Sequence, residues 1–219
     1  MSTVKTTNLQ HASAGSPAIV LDAAGDATYA GTHDFSAATV TGAGGLRLVT
    51  PTSIDNTGGS ASATGGEVTF TGVTSVSLNG VFTSAYDNYR IMFNAERGTS
   101  GNTNLRLRAS GTDDTGSNYV VGRYYVGVNI SQAAGSQNNS TNADWDFLNC
   151  QSGTVSGCSV DLFSPQKSTT TAGNFISGGS FLDIFGYSHT QTTSYDGLTV
   201  FVTASNMTGT VRVYGYQNS

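Results

Sequence analysis

Apolar and polar residues alternate clearly at residues 86–94, YDNYRIMFN. In an extended strand Tyr89, Ile91 and Phe93 share one face, and the residues between them share the other. We therefore expect these three side chains to lie in a core. The further candidate strands are 67–72, 75–82, 104–109, 119–128, 144–150, 158–163, 174–187, 198–204 and 210–216, and several of them alternate in the same way.

These short segments predict antiparallel sheets, since strands with one apolar and one polar face suit a sheet with one solvated side. Candidate turns rich in Gly, Asn, Asp and Ser fall at 98–102, 111–118, 135–142, 153–157 and 206–209. No segment has a sustained helical period. We predict an all-β head with a two-sheet, jelly-roll-like sandwich.

Residues 1–66 have a different pattern. Their apolar runs are short and separated by glycines, as in AIVL at 18–21 and LRLV at 46–49. Such runs are too short to make a core within one chain, so we expect an extended arm shared between chains, with a flexible tail as the alternative. Because PTSIDNTGGSASATGG at 51–66 resembles a linker, we draw the domain boundary there, with the β-sandwich head at 67–219.

The composition limits the classes of function. The 219 residues carry a net charge of −5, with 11% charged residues and 28 glycines. Without a basic stripe we expect no nucleic-acid partner. Without a long apolar run we expect no membrane insertion. The first residues lack a signal-peptide pattern, which predicts synthesis and folding in a cytoplasm.

Two cysteines, Cys150 and Cys158, flank a Ser/Gly-rich stretch. We expect reduced, buried thiols in a cytoplasmic protein. A disulfide across a hairpin is the alternative, should the protein meet an oxidising exterior. No histidine or second cysteine pair lies nearby in sequence, so we expect no metal site.

No pattern predicts an enzyme or a cofactor site. Asp144 and Asp146 share one strand face beside Trp145, and paired carboxylates near an aromatic ring occur in sugar-cleaving and sugar-binding sites. We favour exposed acids with Trp145 packed inward. His189 follows a candidate strand and fits a solvated loop histidine better than a metal ligand on a trimer axis.

Aromatic side chains in loops can stack on sugar rings, because a pyranose has a flat apolar face with polar edges. The candidate glycan contacts are Tyr124, Trp145, Tyr187, His189 and Tyr195. Core packing is the alternative for some of them.

Three large residues near the end of the chain, Phe201, Tyr214 and Tyr216, fall on the predicted solvated faces. Either they are scattered surface residues or they mark an oligomer interface, and we favour the interface.

Several stretches resemble the virion proteins of tailed bacteriophages, of the fibre or head-decoration kind. They are MSTVKTTNLQHASAGSPAIVLDAAGDATYAGT, SVSLNGVFTSAYDNYRIMFN, LRLRASGTDDTGSNYV and ASNMTGTVRVYGYQNS. The resemblance implies a trimer, N-terminal anchoring to other virion proteins and a β-rich distal head. We expect a non-enzymatic fibre protein of the virion whose head binds host surface glycan. The alternative is a capsid decoration protein that stabilises the shell without binding a receptor.

Overall fold

The computed structural model describes residues 8–9, 19–21, 27–29, 45–127, 135–150, 152–178 and 181–218. The chain divides into two compact units, Met1–Ala43 and Gly44–Ser219. The described secondary structure is β throughout, as the sequence predicts. Among these residues no helix is long and apolar enough to cross a membrane.

The strands are numbered in chain order, and all of their pairings are antiparallel. They are β1 (Asn8–Leu9), β2 (Ile19–Leu21), β3 (Ala27–Tyr29), β4 (Leu46–Val49), β5 (Ser53–Thr57), β6 (Ser60–Thr64), β7 (Glu67–Val73), β8 (Ser75–Asn79), β9 (Tyr86–Arg97), β10 (Gly101–Ala109), β11 (Thr112–Asp113), β12 (Tyr119–Gly127), β13 (Gly135–Asn142), β14 (Trp145–Cys150), β15 (Ser156–Phe163), β16 (Thr171–Gly178), β17 (Phe181–His189), β18 (Gly197–Phe201) and β19 (Met207–Gln217).

The first unit contains a three-stranded sheet in the order β1-β2-β3. Its strands have two or three residues each. Strands this short lie at or below the lower limit of strand length in independently folded proteins.

The second unit is a β-sandwich of two sheets. The large sheet has ten strands in the order β13-β12-β17-β16-β15-β9-β19-β7-β6, and β4 pairs with the free end of β19. The small sheet has six strands in the order β11-β10-β18-β8-β5, and β14 pairs with β10. Strands β9 and β19 pair along most of their length, which joins the middle of the chain to its end.

The inward faces of both sheets build one apolar core. Tyr89, Ile91 and Phe93 on β9 have no exposed surface, so the predicted facing of this strand is confirmed. The small sheet contributes Leu105 and Leu107 from β10 in the same way. Alternation with a period of two therefore determines which side chains enter the core.

Two features of the second unit differ from the sequence prediction. The compact unit begins at Gly44, whereas the predicted boundary follows residue 66, because β4, β5 and β6 all pair with strands of the head. Residues 135–142 form strand β13 rather than a turn, since their backbone pairs with β12 at the edge of the large sheet.

Candidate functional site

Four of the five predicted glycan contacts lie in the interior of the head. Trp145 and His189 have no exposed surface, and Tyr187 and Tyr195 are also buried. The Trp145 and Tyr187 rings stack with centroids 5.0 Å apart, and the His189 ring meets Tyr195 edge-on at 5.2 Å. Buried rings offer no face to a sugar at the surface. In this fold these four residues therefore serve packing, the alternative that the sequence left open.

Hydrogen bonds in this cluster join two loops. Tyr195 Oη donates to Asp114 Oδ2 at 2.5 Å, and Tyr119 Oη donates to the Asp114 carbonyl at 2.9 Å. His189 Nδ1 lies 3.3 Å from Tyr195 Oη. Its Nε2 lies 3.4 Å from Asp114 Oδ2, outside hydrogen-bonding geometry. The cluster fixes the loop around Asp114 against the loop before β18.

The prediction of a solvated His189 is wrong, because β17 extends to this residue and aromatic rings enclose it. Burial lowers the pKa of His189 from its ordinary value of 6.5, although the Asp114 carboxylate opposes the shift. The imidazole is therefore neutral at pH 7.

The two cysteines are buried free thiols. Burial raises the pKa of Cys158 well above 9.0 and raises that of Cys150 as well. Since the thiolate is the reactive form, both sulfurs are poor nucleophiles.

The carboxylates beside Trp145 have the predicted arrangement, with the indole inward and both acids partly exposed. Asp144 accepts hydrogen bonds from Asn104 Nδ2 at 2.8 Å and Arg106 Nη2 at 3.3 Å. Burial, together with the Asp144 charge, raises the pKa of Asp146. Within the described residues no three acidic, histidine or cysteine side chains cluster as metal ligands.

A cleft of about 350 Å³ lies on the outward face of the small sheet. We call it the polar cleft. Five of its lining side chains carry hydroxyls, two are arginines, one is a carboxylate, and Phe201 and Val202 complete it. The full lining is Thr57, Thr74, Ser75, Ser77, Arg106, Arg108, Asp113, Thr199, Phe201 and Val202.

Sheet register explains why these residues meet. Arg106, Thr199 and Ser77 are directly opposite one another across β10, β18 and β8. Two residues further along β18, on the same face, Phe201 lies opposite Ser75 of β8. Side chains opposite one another across a sheet are in contact range, so residues far apart in sequence line one surface.

A tight hairpin brings Asp113 to the cleft. Ser110 and Gly111 both have positive φ, 50° and 77°, as in the two-residue turns that join antiparallel strands. The turn places Asp113 opposite Arg108. Their side chains form an ion pair, and Asp113 Oδ1 also accepts a 2.6 Å hydrogen bond from Thr199 Oγ1.

Arg108 lies at the centre of the hydrogen-bond network in the floor of the polar cleft. Its Nη1 donates to Ser77 Oγ at 2.9 Å and Thr199 Oγ1 at 2.8 Å, and its Nε donates to Asn79 Oδ1 at 3.0 Å. Its Nη2 donates to the carbonyl of Gly111. The guanidinium is therefore both neutralised and held rigidly by its neighbours.

Arg106 and Phe201 form one wall. The guanidinium carbon lies 4.3 Å from the Phe201 ring centroid, a cation–π distance. Arg106 also donates from Nε to the Ala143 carbonyl at 3.0 Å, in addition to its contact with Asp144. Its Nη1 has no hydrogen-bond partner in the described residues.

The outward face of the large sheet is chemically different. Eight of the nine exposed large hydrophobic side chains of the described chain lie on it, and we call it the apolar face. The eight are Leu46, Leu48, Met92, Tyr124, Phe163, Ile176, Leu182 and Ile184.

The most exposed part of the apolar face is a continuous row. Tyr124, Ile184 and Ile176 are opposite one another on β12, β17 and β16. They are 54%, 50% and 57% exposed. Tyr124 is thus the one predicted glycan contact that lies at the surface, and it lies among aliphatic side chains.

A second row runs beside the first and contains little side-chain volume. Gly122 is opposite Gly186, and Gly186 is opposite Asn174. A Cβ atom at Gly186 would meet no atom within 4 Å. The space above Gly186, beside the apolar row, is therefore open.

The likeness of this chain to known proteins is distant. No protein-family model matches the chain, and no curated protein matches it. Among solved structures, peanut lectin in complex with a nine-residue peptide is similar over 83% of this chain and 96% of that chain, with 10% identity and a TM-score of 0.31.

Sequence reasoning missed the polar cleft. It placed Asp113 in the candidate turn 111–118 and assigned no role to Arg106 and Arg108 in the candidate strand 104–109. The available signal was Phe201, a large ring on a predicted solvated strand face. Which strands pair with β18 is not visible in the local pattern.

Proposed function

We propose that this chain is a structural protein of a tailed-bacteriophage virion, a homotrimeric fibre protein with a β-sandwich head that binds host surface glycan. The observation that carries the assembly part is the apolar face. Contiguous exposed apolar surface on a folded protein marks a site of association.

The apolar face suits neighbouring copies of the chain. Tyr124, Ile184 and Ile176 would gain burial, and the open space above Gly186 would accept a side chain of the neighbouring copy. One charged pair on the same sheet face is already satisfied: Arg90 holds Asp161 through two hydrogen bonds of 2.8 and 2.7 Å. Packing against a copy would therefore bury no unpaired charge from this pair. Cyclic symmetry closes such a contact after three chains in the proposed trimer.

The first unit supports the same proposal. Its strands β1–β3 are too short for a stable sheet of their own, and three copies around an axis would bury their small apolar faces together. This agrees with the resemblance of residues 1–32 to the anchoring arms of phage fibre proteins.

The attachment site on the virion tests the proposal. Antibody against the head should label the tail of intact virions in electron micrographs. Label spread over the shell would instead favour the decoration protein, and absence of label would contradict a virion role altogether.

A truncation tests anchoring by the arm. Removing residues 1–43 spares β4, which pairs with β19 in the head. The truncated chain should fold and fail to join virions. Normal incorporation would show that the arm is not the anchor.

A further inference from the structure

We propose that the polar cleft on the small sheet binds a neutral saccharide unit of the host surface. This inference rests on the proposed function and assigns its binding site and ligand class. The proposed site is the polar cleft, whose floor and walls are formed by β8, β10 and β18, and it contains none of the glycan contacts predicted from sequence.

The shape and lining of the cleft suit a sugar. Its volume of about 350 Å³ falls at the small end of ligand sites, about 300–1,000 Å³. Of its five hydroxyl side chains, those of Ser77, Thr199 and Thr74 are engaged in hydrogen bonds within the protein, and that of Ser75 remains to donate to and accept from the hydroxyls of a pyranose. The Phe201 ring, which is partly exposed beside the Arg106 guanidinium, supplies apolar surface against which the C–H face of a sugar can pack.

The charges of the cleft favour a neutral ligand over an anion. Arg108 is paired with Asp113, and Arg106 is paired with Asp144. Two guanidiniums neutralised by two carboxylates leave no excess positive charge for a phosphate or sulfate. A neutral saccharide can hydrogen-bond to these groups without breaking either pair.

Several polar atoms in the cleft are available to a ligand. Ser75 Oγ and Arg106 Nη1 make no hydrogen bond within the part of the chain that the structure describes. Both belong to residues that line the cleft next to Phe201. The fixed network around Arg108 holds the floor in place, so binding would require little ordering of side chains.

The position of the cleft leaves it accessible in an assembled trimer. It lies on the outward face of the small sheet, and the apolar face lies on the outward face of the large sheet. Packing of copies through the apolar face therefore does not cover it. A trimer would present several clefts, and their combined binding would exceed that of one cleft.

The test uses the full-length protein on a printed array of neutral and acidic bacterial-surface oligosaccharides. Phe201→Ala removes the ring, and Phe201→Tyr retains it and serves as the matched control. Ser75→Gln fills the cleft without adding charge, so the test survives if Phe201→Ala fails to fold. Val155→Ala, at an exposed loop position, controls for the general effect of a substitution.

We expect the wild type, Phe201→Tyr and Val155→Ala to bind neutral glycans, and Phe201→Ala and Ser75→Gln to bind them about tenfold or more weakly. If folded Ser75→Gln binds as the wild type does, the cleft assignment is overturned while the proposed glycan-binding function stands. Binding to acidic glycans alone would overturn the neutral ligand. If the wild type binds no glycan, both the cleft assignment and the glycan-binding function fail, and the trimer and virion experiments remain independent of that result.

Discussion

The two outward faces of the sandwich differ although the two inward faces are alike. Both sheets send valine, leucine and aromatic side chains into the core. Outward, the large sheet carries the Tyr124–Ile184–Ile176 row, and the small sheet carries hydroxyls and paired charges around Arg108. The core requirement fixes only alternate positions of each strand. The remaining positions are free to differ between the two sheets, and we propose association on one side and ligand binding on the other.

We expect the largest loss of stability from a substitution in the core beneath both faces. Phe93 is fully buried on β9 and stacks on Phe70, with centroids 5.9 Å apart. Phe93→Ala should lower the free energy of unfolding by about 3–5 kcal/mol through lost burial and a cavity. Chemical denaturation measures this loss in the free energy of unfolding. Thr83→Ala is the control, since this partly exposed side chain lies outside the core and its hydroxyl accepts a 3.3 Å hydrogen bond from the Ala85 amide. Equal losses for the two variants would show that the facing of β9 is misassigned.

Arg108 on the small sheet and Arg212 on the large sheet should differ in how much they contribute to the free energy of unfolding. Arg108→Met on the small sheet should cost about 2–3 kcal/mol, because several partners of a mostly buried guanidinium lose a charged hydrogen bond. Arg212→Met on the large sheet should cost about 0.2–1 kcal/mol, since the Arg212–Glu67 pair is solvated. Unfolding curves of the two variants give the ranking, and a reversed order would contradict the described network.

Acid should lower the free energy of unfolding through His189, by a smaller amount than Phe93→Ala or Arg108→Met does. The folded state holds this imidazole neutral with a lowered pKa, while in the unfolded chain it takes a proton below about pH 6.5. The unfolded state then binds more protons, so stability falls as the pH drops below that value. Asp146 has the opposite sign, because burial raises its pKa in the folded state.

Denaturation at pH 7.5 and pH 5.5 tests this effect. The loss between the two pH values should be larger for the wild type than for His189→Gln, in which His11 and His33 remain. An equal loss in both proteins would mean that His189 is not buried in solution.

More of the fold than of the polar cleft could be predicted from the sequence. Alternation on β9 predicted its buried face, because one local pattern suffices for one strand. Strand β13, GSQNNSTN, was missed because a polar sequence carries no such pattern, and backbone pairing with β12 alone makes it a strand. Residues 51–66 looked like a linker for the same reason.

Sites that depend on strand order could not be predicted. His189 looked like a loop residue because Tyr119 and Trp145, which pack against it, lie about 40–70 residues earlier. The polar cleft likewise requires β8, β10 and β18 to be neighbours. Local sequence shows what each strand presents outward but not which strands share a surface.

The mass of the assembled particle tests most directly whether the apolar face is an association surface. Mass photometry of the wild type should give about three chains per particle, as the proposed cyclic trimer requires. In chains that lack residues 1–43, so that the arm cannot hold copies together, Ile184→Lys places a charge in the exposed apolar row and should give monomers with an unchanged thermal transition of the head. Thr192→Lys adds the same charge at an exposed loop position and should remain trimeric. A monomeric wild type, or a trimeric Ile184→Lys, would contradict the assignment of association to this face.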